Sequence, residues 1–193
     1  MVISSSSNYS KSNSNVLEIS SPNKTNLKRF TQNGQIQIYQ SSYRGSYSSI
    51  VRDSLRNAAL GRKVLLVQFM KGGVKQGVSN AVKLCGNLTW LRSSHSFDQY
   101  HSEEIENNKN LKNSIHKSID ELWNFCKKEL LCGENDQIIL DEIFLAIQMQ
   151  IIDKDDLIST LENRLISGDV ILTGTDIPKD LLLMANQITE LRS

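Results

Sequence analysis

Three short apolar runs, Val64–Phe69, Ile138–Leu140 and Val170–Leu172, are separated by stretches in which apolar residues recur at three- and four-residue steps. Runs of this kind, apolar on successive residues, suit strands buried on both faces, and helical crossovers are what join parallel strands. The chain is therefore expected to fold as an α/β domain, a doubly wound, mainly parallel sheet with helices on both faces. The helical stretches support this. After Ser48, the residues Ile50, Val51, Leu55, Ala58 and Ala59 fall on one side, and Gly61 is a stop signal. Leu111, Ile115, Ile119, Leu122, Cys126 and Leu130 define a long amphipathic helix with Lys112, Lys117, Glu121 and Lys128 on its polar face. Trp123 and Phe125 flank that stripe and read as core rather than as a cofactor box. Asp153 followed by Asp156 opens a further helix in the manner of a capping box, with Leu157, Leu161 and Leu165 expected inward.

The segment Gln35–Ile50, QIQIYQSSYRGSYSSI, has the layout of a phosphate-binding strand, loop and helix. In a working P-loop, glycines let backbone N–H groups approach phosphate, a lysine neutralises it, and a Ser or Thr hydroxyl holds Mg²⁺. Here the loop Ser41-Ser42-Tyr43-Arg44-Gly45-Ser46-Tyr47-Ser48 carries one glycine and no lysine. The other runs end in polar residues: Lys71-Gly72 after the first, Asp141-Glu142 after the second, Thr173-Gly174 after the third, with Asp176 and Pro178 as a helix start. Open parallel sheets bind ligands at strand carboxyl ends. Lys71, Asp141 and Glu142 are therefore candidate site residues. The plainer reading makes the two acids caps of the next helix and Lys71 a solvated loop residue. His95, His101 and His116 have no metal-ligand spacing.

Taken together, Val67-Gln68-Phe69 with Lys71-Gly72, Asp141-Glu142-Ile143, Thr173-Gly174 and Glu190-Leu191-Arg192 resemble, in order and spacing, the P-loop type of ATP:corrinoid adenosyltransferase. The resemblance covers about Gln35 to Arg192 and implies a sheet of P-loop NTPase, RecA-like type. It also implies transfer of the 5′-deoxyadenosyl group of ATP to cob(I)alamin or a cob(I)yrinic acid derivative in cobalamin biosynthesis. ATP and Mg²⁺ are the implied cofactors, the corrinoid is the second substrate, and a homodimer is the implied assembly. The resemblance places nucleotide binding on Ser41, Ser42, Tyr43, Arg44, Gly45, Ser46, Tyr47, Ser48 and Lys71, and metal binding on Ser46, Asp141 and Glu142. The family loop Gly-Asn-Gly-Lys-Gly-Lys-Thr-Thr falls on Ser41 through Ser48, so only Gly45 is identical and Arg44 keeps a cation. The phosphate-gripping lysine becomes Ser46 and the next threonine becomes Tyr47; Thr175 replaces an arginine. The family's aromatic segment over the corrin has a loose counterpart in His95-Ser96-Phe97-Asp98, and its basic and aromatic tail has none after Ser193.

Tyr43 and Tyr47 are expected to fill space that phosphates need, lowering ATP affinity, while Arg44 supplies charge from two positions before Ser46. Two functions remain open on these residues: an adenosyltransferase with a rewired loop, or a catalytically inactive family member that binds a corrinoid, a nucleotide or a protein partner. A net charge of +1 over 193 residues argues for neither nucleic acid nor an acidic membrane as partner. Apolar runs of four or five residues are far too short to span a bilayer. The cysteines Cys85, Cys126 and Cys132 form no Cys-x-x-Cys pair, consistent with a reducing, cytoplasmic setting. Residues 1–26, rich in Ser and Asn with Glu18 as the single acid, are expected to be a flexible tail before one P-loop-like domain over 27–193. A plastid transit peptide is the competing reading, and the lack of arginine before Arg29 opposes it.

Overall fold

Every residue of Val64–Gln68 and of Gln137–Asp141 is buried, as strands covered on both faces must be. The computed structural model describes residues 34–44, 47–96, 98, 108–165 and 167–191, all within one unit of the chain, Thr31–Ser193. The segment 1–26, Gly45, Ser46, Phe97, His101 and Arg192 lie outside the described residues. Seven strands form one sheet: β1 (Ile36–Ser41), β2 (Val64–Gln68), β3 (Val82–Leu84), β4 (Leu88–Arg92), β5 (Gln137–Asp141), β6 (Asp169–Gly174) and β7 (Gln187–Leu191). Their order is β3-β4-β2-β5-β6-β1-β7. Every pairing is parallel except β3 with β4. Among the described residues the helices are α1 (Ser48–Ala59), α2 (Lys109–Cys132), α3 (Ile143–Gln148), α4 (Lys154–Glu162) and α5 (Lys179–Met184), with a 3-10 turn at Val78–Asn80. The expected doubly wound α/β architecture is what forms.

Side chains alternate across each strand, so the sheet divides the interior in two. Ile36, Ile38, Leu65, Val67, Ile138, Leu140, Val170 and Leu172 pack with apolar residues of α2, α3, α4 and α5. Val64, Leu66, Leu88, Ile139 and Ile171 pack on the other face with Tyr47, Ile50 and Ala58 at and in α1. The stripe expected on the long helix is correct: Ile115, Ile119, Leu122, Cys126 and Leu130 are buried, and Trp123 joins them. That helix starts with Asn108, whose side chain accepts from Leu111 N, and stops at Gly133 in the left-handed conformation.

Three strands escaped the apolar-run reading. β3 and β7 are edge strands whose residues are mostly exposed or half-buried, and β4 mixes Thr89 and Arg92 with its apolar residues. The β3–β4 hairpin turns through Cys85 and Gly86, both at positive φ. The capping reading at Asp153 is half right. Asp153 caps α4 by accepting from Asp155 N at 2.7 Å, but Asp156 does not reach back. Its carboxylate instead accepts from Trp123 Nε1 at 2.7 Å and from Lys127 Nζ at 2.9 Å, tying α4 to α2. Burial works against ionised Asp156, yet these two hydrogen bonds and the Lys127 charge outweigh it and hold the carboxyl below its usual range. Leu165 was expected inward; it lies beyond the end of α4 and is half exposed.

Asp156→Ala should cost about 1–3 kcal/mol, because the nearly buried Trp123 indole loses its acceptor. Asp153→Ala should cost about 1 kcal/mol, the ordinary value of a cap. Urea denaturation of the two variants decides: equal losses would mean that Asp156 does no more than a cap.

Candidate functional site

The carboxyl ends of β1, β2, β5 and β6 gather the polar residues that the sheet buries. Parallel register sets Gln68 of β2 directly across from Asp141 of β5. Gln68 Nε2 donates to Asp141 Oδ2 at 2.7 Å, while Trp90 Nε1 of β4 donates to Gln68 Oε1 at 3.0 Å. Thr173 Oγ1, on β6, donates to Asp141 Oδ1 at 2.8 Å and accepts from the Glu142 backbone N–H at 2.8 Å. Lys71 Nζ completes the shell of Asp141, 3.0 Å from Oδ2. A carboxylate out of water needs such partners, and here β2, β6 and the loop after β2 supply them.

Glu142 holds the second charge. Its backbone is left-handed, with φ 61°, and its side chain does not cap α3 although it occupies the capping position. It faces the loop after β1 instead. Arg44 Nε and Nη2 bond Glu142 Oε1 and Oε2 at 3.1 and 3.0 Å, a bidentate fork, and Nη2 also reaches Met70 O at 3.4 Å. Both carboxylates are buried, while Arg44 and Lys71 reach partly into solvent. The cluster thus carries two cations and two anions, with the cations on the solvent side.

The remaining loop residues separate. Ser41 ends β1, buried; Ser42 and Ser48 are exposed; Gly45 and Ser46 lie outside the described residues. Of the two tyrosines expected to fill the phosphate space, only Tyr47 is buried. Tyr43 is 46% exposed, because the chain turns outward there, and its N–H donates to Ser41 Oγ at 3.4 Å. Tyr47 is 1% exposed, with Lys71 Nζ 6.0 Å from its ring centroid. Its hydroxyl is buried beside the backbone of Ser41 and Gly174, contacts that lower its pKa slightly but are not aligned as full hydrogen bonds. Loss of water first, then the charges of Asp141 and Glu142, push this phenol up to about 12.

After β4, Ser93–Ser96 wraps against Lys71-Gly72, and a Cβ on Gly72 would lie 2.1 Å from the His95 carbonyl. Ser94 Oγ bonds His95 Nδ1 at 2.9 Å and Ser118 Oγ of α2 at 2.9 Å. Burial keeps the His95 imidazole below its ordinary value. A cavity of about 320 Å³ opens beside Ser94, lined by Lys75, Ser79, Ser114, Lys117 and Glu121 among others. The free cysteines are Cys85 and Cys132 on the surface and buried Cys126.

Sequence reasoning left Gln68, Trp90 and Thr173 without roles. A signal existed: Gln68 and Thr173 are polar residues inside otherwise apolar strands, and buried polar residues need a partner. Magnesium fares differently. Among the described residues, no group of three or more His, Cys, Asp or Glu is arranged to hold a metal ion. Asp141 already accepts three hydrogen bonds and Glu142 both prongs of Arg44. Both carboxylates are thus engaged by neighbouring donors, and Ser46, the third residue expected at the metal, lies outside the described residues.

A parallel α/β sheet whose strand-end site lies beside a β1-loop-α1 turn defines a P-loop-type nucleotide fold. The chain matches the family ATP:corrinoid adenosyltransferase BtuR/CobO/CobP over residues 32–193, and it belongs to that family. It is 24% identical to the corrinoid adenosyltransferase of Escherichia coli (strain K12) over 162 residues, 83% of this chain and 78% of that protein. It is 22% identical to corrinoid adenosyltransferase CobA of Salmonella typhimurium over 169 residues, again 83% and 78%. An uncharacterized protein of Nostoc sp. is 23% identical over 170 residues, 82% of this chain and 44% of the other. No helix among the described residues is long and apolar enough to cross a membrane.

Tyr47 makes a prediction. A phenol raised in the folded chain contributes stability that is present below its unfolded value near 10 and lost as pH rises towards about 12. Wild type should therefore lose more stability than Tyr47→Phe across that window in urea denaturation. Parallel losses in both proteins would mean that Tyr47 ionises as if exposed.

Proposed function

We propose that the protein transfers the 5′-deoxyadenosyl group of ATP to the cobalt(I) of a corrinoid at the carboxyl ends of β1, β2, β5 and β6. Family membership supports the reaction class. The observation that carries it to this site is the pairing of Arg44 with Glu142 and Lys71 with Asp141, two cations on the solvent side of a buried acidic floor. In the reaction, cobalt(I) attacks the ribose C5′, a cobalt–carbon bond forms as C5′–O breaks, and the two electrons come from the metal of the corrinoid. Triphosphate leaves with the negative charge.

Little covalent chemistry falls to the protein, so its work is to position the reactants and stabilise the leaving polyphosphate. Arg44 and Lys71 do this by exchanging carboxylate for phosphate oxygens; the bidentate guanidinium suits either. Asp141, held by Gln68 and Thr173, keeps Lys71 at the strand end until then. With both cations on phosphate, Glu142 and Asp141 would be the residues left to hold magnesium, which would supply further positive charge to the leaving polyphosphate. The polar cavity beside Ser94, next to Lys71-Gly72, supports placing the corrinoid's peripheral groups on that side. A second reading, a binding protein without turnover, is favoured by Tyr47 lying inside the site and by both cations being already paired.

Anaerobic assay with chemically reduced cob(I)alamin and Mg-ATP, following loss of the cobalt(I) spectrum and chromatography of the product, separates the two. Turnover is expected. Arg44→Ala and Lys71→Ala should each lower kcat/KM by roughly 10- to 100-fold, the worth of a hydrogen bond to a charged group at about 1.5–3 kcal/mol. Absence of product from folded wild-type protein, with cob(I)alamin or with a cob(I)yrinic acid derivative, would reject the enzyme in favour of the binding protein.

A further inference from the structure

We infer that the side chain of Tyr47 is the resident occupant of the nucleotide crevice, and that ATP binds only by displacing it, so that this residue sets nucleotide affinity. The inference rests on the proposed use of the site for ATP.

The residues around Tyr47 locate it. The side chain leaves the chain just before α1 and joins Ile50, Val64, Leu66 and Ile139 in the core on that face of the sheet. Its far end reaches the strand termini: the backbone of Ser41 ends β1, Gly174 ends β6, and the Asp141 carboxylate ends β5. Lys71 lies over the ring. A ring placed across the ends of adjacent parallel strands stands where open α/β sheets take their ligands.

A core tyrosine ordinarily finds a partner for its hydroxyl. That of Tyr47 has only the backbone of Ser41 and Gly174 beside it, and neither contact is aligned as a full hydrogen bond. This is the pattern of a side chain in a space built for something else: the apolar ring gains from burial, and the poorly bonded hydroxyl opposes it. Such an occupant is poised to leave, because outside the crevice the hydroxyl regains water. Two ion pairs accompany the closed arrangement. In this arrangement Arg44 and Lys71 rest on Glu142 and Asp141. Displacement of the ring opens the space in which both cations meet polyphosphate. The competing account, that Tyr47 is a core residue and nothing more, predicts that shortening it weakens the fold and does not help ATP.

Two measurements on the full chain, both without corrinoid, decide. Calorimetric titration with Mg-ATP compares wild type, Tyr47→Phe and Tyr47→Thr. The Phe variant keeps the ring and loses the hydroxyl that opposes burial, so it should bind no more tightly than wild type, whereas Tyr47→Thr should bind at least about tenfold more tightly, a gain of about 1.4 kcal/mol. Folded Tyr47→Thr with unchanged or weaker affinity would overturn the inference. In wild type, nitration by tetranitromethane, read by mass spectrometry, should spare Tyr47 in the free protein and modify it when millimolar ATP is added. Tyr47 equally protected with and without ATP would overturn the inference whether or not the Thr variant folds. Neither measurement requires adenosyl transfer, so a crevice opened by Tyr47→Thr in a protein without turnover leaves this inference standing and removes the proposed reaction. Turnover with ATP affinity indifferent to residue 47 does the reverse.

Discussion

The buried carboxylate of Asp141 ties the site to the sheet. Left unpaired at the end of a central strand it would be costly, and its partners come from both sides: Gln68 on β2, Thr173 on β6 and Lys71 beyond β2. Those bonds fix more than one residue. Gln68 in turn satisfies the Trp90 indole, and Thr173 accepts from the backbone of Glu142, whose left-handed conformation turns its carboxylate towards Arg44. The positions of both cations at the site therefore follow from one buried charge and the register of four parallel strands.

This coupling explains how the site can depart so far from the family loop while the sheet does not. Phosphate-binding residues of a P-loop act through backbone N–H groups and a single lysine, which the packing of the sheet does not require. The Asp141 network is different. Removing any member leaves a buried polar group unsatisfied, so the network is held by folding as much as by chemistry. Ser46 in place of the lysine and Tyr47 in place of the threonine change what the site can grip. Arg44 and Lys71, anchored on Glu142 and Asp141, leave positive charge at its mouth.

Much of this was legible in the residues themselves. Alternating apolar runs and helical stripes placed β2, β5, β6, α1 and α2, because strands buried on both faces and long amphipathic helices leave strong periodic signals. The edge strands β3 and β7 left weak ones, since an exposed edge imposes little pattern. Asp156 shows the limit of local rules: its spacing from Asp153 fits a cap, but Trp123 and Lys127, distant in the chain, claim its carboxylate. The two tyrosines of the loop show the same limit, for Tyr43 and Tyr47 are alike in type and setting, and the turn after β1 sends one to solvent and the other inward.

The sequence by itself determined the α/β class, the strand-end location of Lys71, Asp141 and Glu142, and the family, because each of these depends on periodicity or on short ordered motifs along the chain. Tertiary structure alone decided that Arg44 pairs with Glu142, that Gln68 and Thr173 hold Asp141, and that Tyr47 is buried beside the strand ends. These pairings join residues far apart in the chain, and which buried groups meet is set by strand order and register rather than by any local preference.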